Sequence, residues 1–305
     1  MATVSPVVKW KRMITDEDAN GIMQQLVHLV NDMTVFKLYR DDCNRQGAKP
    51  LSRSDLAFEL MFRAHIKAVH LALRAQNESN YTKQNGRLRL KNRNKHVSSL
   101  TVLLEAMRDE GSAVTRKAFF KSRNIPYDAN KVERAQHRWL ISNPQATGWI
   151  SALEPYKTEP DHIRYLHDCF DKLAGTTLEN RSPNDTISPR VIKRLIKKVE
   201  QSTKISKHFS DKFYAHNATS FSRSVARVNS MKMSYVELDE AVATLLAIAK
   251  WLRSFLASDY YVFMQIGWEP YATHNMSQKY MEWVSDQWKR YDGELKIRLQ
   301  LDIFV

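Results

Sequence analysis

The amino-acid sequence predicts an all-α fold, and three observations lead to that class. The 305 residues include only 8 Gly and 9 Pro, too few for the many turns of a hairpin-rich β protein. Apolar residues recur every three to four positions over several long segments, as in helices that bury one face. Helix-capping residues precede several of these segments. The length suits one large domain or two modest ones.

The first two predicted helices precede a basic stretch. Thr15–Asp18 has the spacing of a capping box, and apolar residues follow at helical spacing over residues 22–38, so a helix is expected to start at Thr15. A second helix is expected from about Ser54 to Ala75. Residues 83–95 then carry Lys and Arg with no acid between them, and two leucines alternate with these charges. That pattern indicates a short exposed strand or an ordered loop.

The later helices alternate with Pro- and Gly-containing loops. Ser98 or Ser99 can cap a helix that runs to Met107 and ends at Gly111. Residues 111–160 have a weaker helical period and are interpreted as an insertion. Helices are expected at Arg116–Ser122, at Val132–Ile141, at His162–Leu173, from Ser188 with Pro189 in its first turn, from the capping box at Ser234, and at about residues 277–290.

Cysteine content and hydropathy indicate a cytoplasmic protein without a membrane anchor. Cys43 and Cys169 are too few for a disulfide framework or a cysteine zinc site. The first twelve residues lack the apolar core of a signal peptide, and no apolar run reaches the roughly 20 residues that span a bilayer. We predict one helical domain over residues 13–260 and a C-terminal helical extension, residues 261–305, packed on it.

The chain is strongly basic. It carries 47 Lys and Arg against 33 Asp and Glu, a net charge of +14. Such a surplus attracts phosphates and predicts a nucleic-acid partner. Many of the cations lie in residues 83–95 and on the helix from Ser188, where Glu200 is the only acid between Arg190 and Lys207. The alternative is a solvated basic surface with no polyanion partner.

Asp211 to Asn217 is the stretch with the clearest chemistry. If the helix from Ser188 runs through it, Lys212 and His216 lie four residues apart on one face. An imidazole can accept a proton near neutral pH, and a neighbouring ammonium favours its neutral form and holds a phosphate oxygen. The pair suits metal-free RNA cleavage, in which His216 takes the proton of a 2′-hydroxyl that attacks the adjacent phosphorus. A histidine at the edge of a helix core with a purely structural role is the alternative.

Other kinds of site are not indicated by the sequence. It contains no convincing helical pair of histidines with a nearby Glu, no glycine cluster that could cradle a phosphate, and no nucleophile elbow. His65 and His70 are five residues apart and diverge on a helix. We therefore predict neither a metal nor a cofactor.

Residues 211–216, Asp-Lys-Phe-Tyr-Ala-His, resemble the Arg-Asp-Lys-x-x-Ala-His signature of the HEPN superfamily (higher eukaryotes and prokaryotes nucleotide-binding), and are closest to its abortive-infection U-type branch. The resemblance covers residues 15–260, with 111–160 as an extra segment. Two further blocks are similar to the family's opening helices and its next conserved block: Phe36–Arg40 with the helix through Phe58, Phe62 and Leu71, and His96–Leu100 with Leu103 and Leu104.

The resemblance implies an all-α helical bundle, often a dimer whose two motifs meet in a cleft. Many members are metal-independent ribonucleases of toxin–antitoxin, abortive-infection and CRISPR systems, with an Arg and a His four to six residues apart as the active pair. His216 takes the position of that His, and Asp211 the polar position after the Arg. Ser210 stands where the Arg is expected, which argues for altered or lost catalysis.

With this resemblance, the sequence favours a metal-independent RNA endonuclease or effector of a bacterial antiviral or toxin–antitoxin system. The partners that the resemblance implies are RNA, a second copy of the chain in a homodimer, and an antitoxin or defence-system protein. The alternative is a catalytically degenerate member that binds RNA or serves as an interaction scaffold. A helical partner-binding protein whose charge only aids solubility is a third reading. The candidate catalytic residues are His216, Asp211 and Lys212, and the candidate nucleic-acid-binding residues are Lys207, Asn217, Arg223, Arg227, Arg87, Arg89, Lys91 and Arg93.

Overall fold

A computed structural model describes residues 5–15, 21–30, 32–33, 56–79, 81–84, 87–90, 98–142, 160–211 and 234–257 of the chain. These residues are mainly helical, which confirms the all-α class. In chain order the elements are α1 (Pro6–Thr15), α2 (residues 22–30 and 32–33), α3 (Leu56–Gln76), β1 (Tyr81–Gln84), β2 (Arg87–Leu90), α4 (Leu100–Glu110), α5 (Arg116–Ser122), α6 (Ala129–Ser142), α7 (Pro160–Ala174), α8 (Pro189–Phe209) and α9 (Tyr235–Ala257).

The chain divides into two compact units. Unit 1 comprises Met1–Trp10 and Ala106–Lys193, and unit 2 comprises Lys11–Glu105 and Arg194–Val305. The insertion at residues 111–160 stays a prediction. The C-terminal extension at residues 261–305 lies outside the described part of the chain.

The core of unit 2 is built around α9. From Ala241 to Ala257 this helix has buried or half-buried residues at every position, because its sequence is apolar on almost all sides. It packs against α3, whose Val69 and Leu73 are buried. Helix α2 buries apolar residues at helical spacing, namely Ile22, Met23, Leu26, Val27, Leu29, Val30 and Met33.

A chain of amide contacts joins α2, α3 and α4 in unit 2. The side chain of Gln76 donates from Nε2 to Oε1 of Gln25 at 2.6 Å and accepts the Leu100 amide at 3.2 Å. Gln25 donates to the Ser98 carbonyl at 3.3 Å. Since a buried amide without partners costs free energy, this chain of contacts fixes where α4 begins.

A buried arginine organises unit 1. Arg116 is fully buried at the start of α5, and its guanidinium lies 2.6 Å from Asp171 and 2.8 Å from Asp185. It also donates to the carbonyls of His167 at 3.0 Å and Ser182 at 3.2 Å. Arg181 pairs with Asp171 as well. These carboxylates and carbonyls compensate the desolvation of a charge that would otherwise be costly to bury.

Aromatic rings surround this arginine. The guanidinium of Arg116 lies 4.7 Å from the centroid of the Phe170 ring, and the His167 ring stacks on Phe120 at 4.3 Å. His167 uses Nε2 to bond the Tyr127 carbonyl at 2.8 Å. Burial lowers the pKa of His167, so the imidazole stays neutral there. Helix α6 packs against α7 beside the cluster.

Most predicted elements are present with shifts of a few residues, but the predicted start of a helix at Thr15 is wrong. Thr15 is the last residue of α1, where its hydroxyl donates to the Lys11 carbonyl at 2.8 Å. The missed signal is the spacing of Val7, Trp10 and Ile14, which are all buried. Pro6 opens α1, a position where a missing N–H is tolerated.

The basic segment at residues 83–95 contains the predicted strand. Residues Arg87–Leu90 form β2, which pairs with β1 as an antiparallel hairpin with Arg89 opposite Thr82 and Arg87 opposite Gln84.

Two of the predicted helix caps are serines. Ser99 accepts the Val102 amide at 3.1 Å, and Ser234 accepts the Glu237 amide at 3.2 Å. Both serines therefore cap their helices as expected.

Candidate functional site

Helix α8 carries an exposed basic face and ends at the candidate motif. Within unit 2, Leu195, Ile196, Val199, Thr203 and Ser206 are buried on one side of the helix. The other side exposes four cations, Arg194, Lys197, Lys204 and Lys207, which we call the α8 basic face. Apolar residues on one side and charges on the other are the pattern of a helix with one solvated surface.

One acidic side chain lies among the cations of the α8 basic face. Glu200 is exposed between Lys197 and Lys204, and Lys198 is half-buried. Among the described residues, Lys197, Lys204 and Lys207 form no ion pair. The positive charge of these lysines is therefore available to a partner.

The regular α-helix ends at Phe209, and Ser210 and Asp211 continue in a wider π-helical turn. The rest of the motif, from Lys212, lies outside the described residues, so a helix through it stays a prediction. π-Turns inside or at the end of helices are found frequently at functional sites.

Phe209 and Ser210 are held by α3. The Phe209 ring stacks on the His70 ring, with centroids 5.0 Å apart and planes 16° from parallel. Ser210 is fully buried and donates from Oγ to the His70 carbonyl at 3.0 Å. Position 210 therefore faces the interior of unit 2.

His70 is a neutral histidine. It is 3% exposed, and burial lowers its pKa to about 4. The desolvated imidazolium is the disfavoured form, so the ring carries no charge at neutral pH. Burial also lowers the pKa of His65, five residues earlier in α3, to about 4.

Asp211 is paired with an arginine that the sequence did not indicate. Arg74, one turn after His70 in α3, places Nε 3.0 Å from a carboxylate oxygen of Asp211. The same guanidinium lies 4.0 Å from Glu78. Since both side chains of the Arg74–Asp211 pair are about one-third exposed, at 27% and 35%, the pair borders solvent. An arginine side chain thus reaches the motif from another helix.

The predicted site residues fall into three groups. Asp211 and Lys207 lie together at the end of α8. Arg87 and Arg89 lie in β2. His216, Lys212, Asn217, Arg223, Arg227, Lys91 and Arg93 lie outside the described residues, so the predicted pairing of Lys212 with His216 stays a prediction.

His70 and Arg74 were missed because no local pattern connects them to the motif. They precede Ser210 and Asp211 by about 140 residues in the chain. The only hint in the sequence is that they stand four apart, and so on one face of a predicted helix. Helix packing alone brings them to the end of α8.

Unit 1 also contains a group of charged side chains around Arg116, formed with Asp171, Asp185 and Arg181, which we call the Arg116 cluster. Arg116 has no exposed surface, and it bonds protein groups through Nε, Nη1 and Nη2. A side chain that is closed off in this way has a structural role rather than a ligand-binding one.

Two other kinds of feature are absent from the described residues. No group of three or more His, Cys, Asp or Glu side chains there could hold a metal ion. None of the helices formed by those residues has the length and apolar content needed to cross a membrane. No protein-family model, curated protein or solved structure matches the chain.

Proposed function

We propose that the protein binds RNA and that its functional surface comprises the end of α8, from Lys204 to Phe209, and the motif residues up to His216. The observation that carries this proposal is the α8 basic face, whose last two lysines stand directly before the motif. Exposed ammonium groups attract phosphates, and the net charge of +14 adds a long-range attraction.

The ion pair of Asp211 with Arg74 also supports an anionic ligand. An unpaired carboxylate beside Lys207 would repel a phosphate, and the guanidinium offsets that charge. The choice of RNA rather than DNA rests on the resemblance of residues 211–216 to the HEPN signature. The same resemblance suggests a homodimer and an antitoxin or defence-system partner, and light scattering on a gel-filtration column tests the dimer.

RNA binding is tested by fluorescence anisotropy with a labelled RNA oligonucleotide at about 50 and 200 mM salt. We expect binding that weakens at the higher salt concentration, because each phosphate contact releases counterions. No binding at the lower salt concentration, or an affinity that is the same at both salt concentrations, would contradict the proposal.

Metal-independent RNA cleavage is the second candidate function, and the Arg74–Asp211 pair favours it. Ser210 supplies no cation at the position where the family has its arginine, whereas Arg74 brings a guanidinium to the next residue. In the proposed reaction His216 removes the proton of a 2′-hydroxyl. The 2′-oxygen then attacks the adjacent phosphorus, and the 5′-oxygen leaves and takes a proton from water, so that the products carry a 2′,3′-cyclic phosphate and a 5′-hydroxyl; the imidazolium of His216 returns its proton to solvent.

Cleavage is tested with purified protein and RNA in the presence of a chelator. We expect wild-type cleavage, loss of activity in His216→Ala, and no cleavage of a 2′-deoxy oligonucleotide. His137→Ala is the matched control, since His137 is an exposed histidine of α6 that is not part of the proposed surface. Full activity of His216→Ala would remove His216 as the catalytic base. No cleavage by the wild type while RNA binding persists would leave RNA binding alone as the function.

A further inference from the structure

We propose that the α8 basic face binds the sugar–phosphate backbone of single-stranded RNA and does not read its bases. This inference rests on the proposed function, in that RNA is taken as the ligand. It adds where the strand lies and which part of the nucleotide is recognised.

The arrangement of the four cations fits an extended strand. Arg194, Lys197, Lys204 and Lys207 recur at intervals of three and seven residues, which keeps them on one side of α8. From the first to the last of them the helix rises about 20 Å at 1.5 Å per residue. The row therefore offers positive charge over the length of several nucleotides.

The side chains of this face suit phosphates better than bases. Lysine presents a compact charge on a flexible stem, whereas base recognition relies on paired donors and acceptors held in a plane. Three of the four cations are lysines. Their ammonium groups can follow phosphates of any sequence.

The described part of α8 carries two aromatic rings, those of His208 and Phe209, and both are half-buried. The aromatic ring at its end, Phe209, is stacked on His70. Proteins that hold single strands through their bases use exposed aromatic rings as platforms. Because the Phe209 ring already stacks on His70, we expect the α8 basic face to contact the phosphates of the strand.

A single strand fits a straight row of charges better than a duplex does. Each strand of a duplex winds about the helix axis and leaves a straight protein helix after a few phosphates. The major groove of A-form RNA is also too deep and narrow for side chains to read. A flexible single strand can stay on the row from Arg194 to Lys207.

The test compares two triple variants with the same change of net charge. The α8 variant is Lys197→Glu/Lys204→Glu/Lys207→Glu, and the control is Lys117→Glu/Lys121→Glu/Lys131→Glu, which alters three exposed lysines of unit 1. The probes are a labelled oligouridylate, an oligoadenylate of equal length and the duplex of the two. Circular dichroism establishes that each variant is folded, and glutamine replaces glutamate at all three positions if one is not.

We expect the α8 variant to lose about 100-fold in affinity for single strands at about 0.1 M salt, and the control to lose less than about 5-fold. The wild type should bind the two homopolymers within about 5-fold of each other, bind the duplex more weakly, and show a log–log salt slope near −3, from about four phosphates.

The outcomes separate the inference from the proposed function. If the wild-type protein binds no RNA, both the proposed function and the inference are wrong. Wild-type protein that binds RNA while the two variants lose affinity equally overturns the α8 basic face as the binding surface and leaves RNA binding in place. A preference of more than about 10-fold between the homopolymers overturns backbone-only recognition, and a duplex bound as tightly as a single strand overturns the strand preference.

Discussion

The role of Ser210 depends on its surroundings in the fold, which the sequence alone does not reveal. In the resemblance to the HEPN signature it stands where that signature has its arginine. In the structure its side chain is fully buried and its hydroxyl is bonded to the His70 carbonyl. Position 210 thus faces the interior, where a guanidinium would have no solvent.

An arginine at position 210 should therefore destabilise the protein. We expect Ser210→Arg to lower the free energy of unfolding by several kcal/mol, because it buries a charge without a partner. Ser210→Ala, which only removes a hydrogen bond, should cost about 1 kcal/mol. Urea denaturation measures both. A Ser210→Arg protein that is as stable as the wild type and cleaves RNA faster would show that position 210 reaches solvent.

Arg116 and Arg164 provide a comparison between a buried and an exposed arginine. Each pairs with two carboxylates, Arg116 with Asp171 and Asp185, and Arg164 with Asp161 and Glu133. We expect Arg116→Met to lower the free energy of unfolding by about 3–5 kcal/mol, since Asp185 loses its buried cation. Arg164→Met should leave the unfolding midpoint unchanged because solvent screens its pairs. Equal midpoints for the two variants would argue against a structural role for the Arg116 cluster.

At the scale of elements, periodicity predicted the helices well and their contacts poorly. The apolar stripe of α8 and the proline at its start indicated that helix directly. Its end at Phe209 could not be predicted, because it coincides with contacts to His70 and Arg74 in α3. Contacts between residues so distant in sequence leave no mark on the local pattern. The same holds for the candidate site, of which the sequence indicated Asp211 and Lys207 but not Arg74.

The two serine caps differ in burial, and their substitution should differ accordingly. Ser99 is buried, accepts the Val102 amide and donates to the Glu78 carbonyl at 2.6 Å. Ser234 is exposed and bonds groups of Glu237. We expect Ser234→Ala to cost about 1 kcal/mol and Ser99→Ala about 2 kcal/mol, since it also leaves a carbonyl without its partner. Chemical denaturation measures both, and a larger loss for Ser234→Ala would contradict this ranking.

For the whole molecule, composition predicted the fold class and the basic character of the chain. The division into two units did not follow from it. Each unit is assembled from segments that are distant in sequence, and only long-range packing brings those segments together.

Buried histidines should make the stability of the whole molecule depend on pH. Burial lowers the pKa of His65 and His70 to about 4 and also lowers the pKa of His162 and His167. The fold thus favours neutral imidazole. Its contribution is complete above the unfolded pKa of 6.5 and is lost as pH falls through 6.5 toward 4.

We expect the thermal unfolding midpoint to fall steadily between pH 7 and pH 5 at constant ionic strength, by differential scanning calorimetry. For His70 alone the loss approaches about 1.4 kcal/mol for each pH unit below its unfolded pKa. His70→Gln should flatten the profile, whatever it does to stability at pH 7. A midpoint that does not change over this interval would show that protons reach these rings without unfolding.

The division of unit 2 into two sequence segments also affects its synthesis. The ribosome releases α2, α3 and the start of α4 well before α9, with the whole 106–193 segment of unit 1 between them. Until α9 has left the exit tunnel, Val69 and Leu73 of α3 lack the helix against which α3 packs. The nascent chain therefore displays apolar helix surface for most of its translation, and chaperones that bind such surface would have their longest access to this half of the molecule.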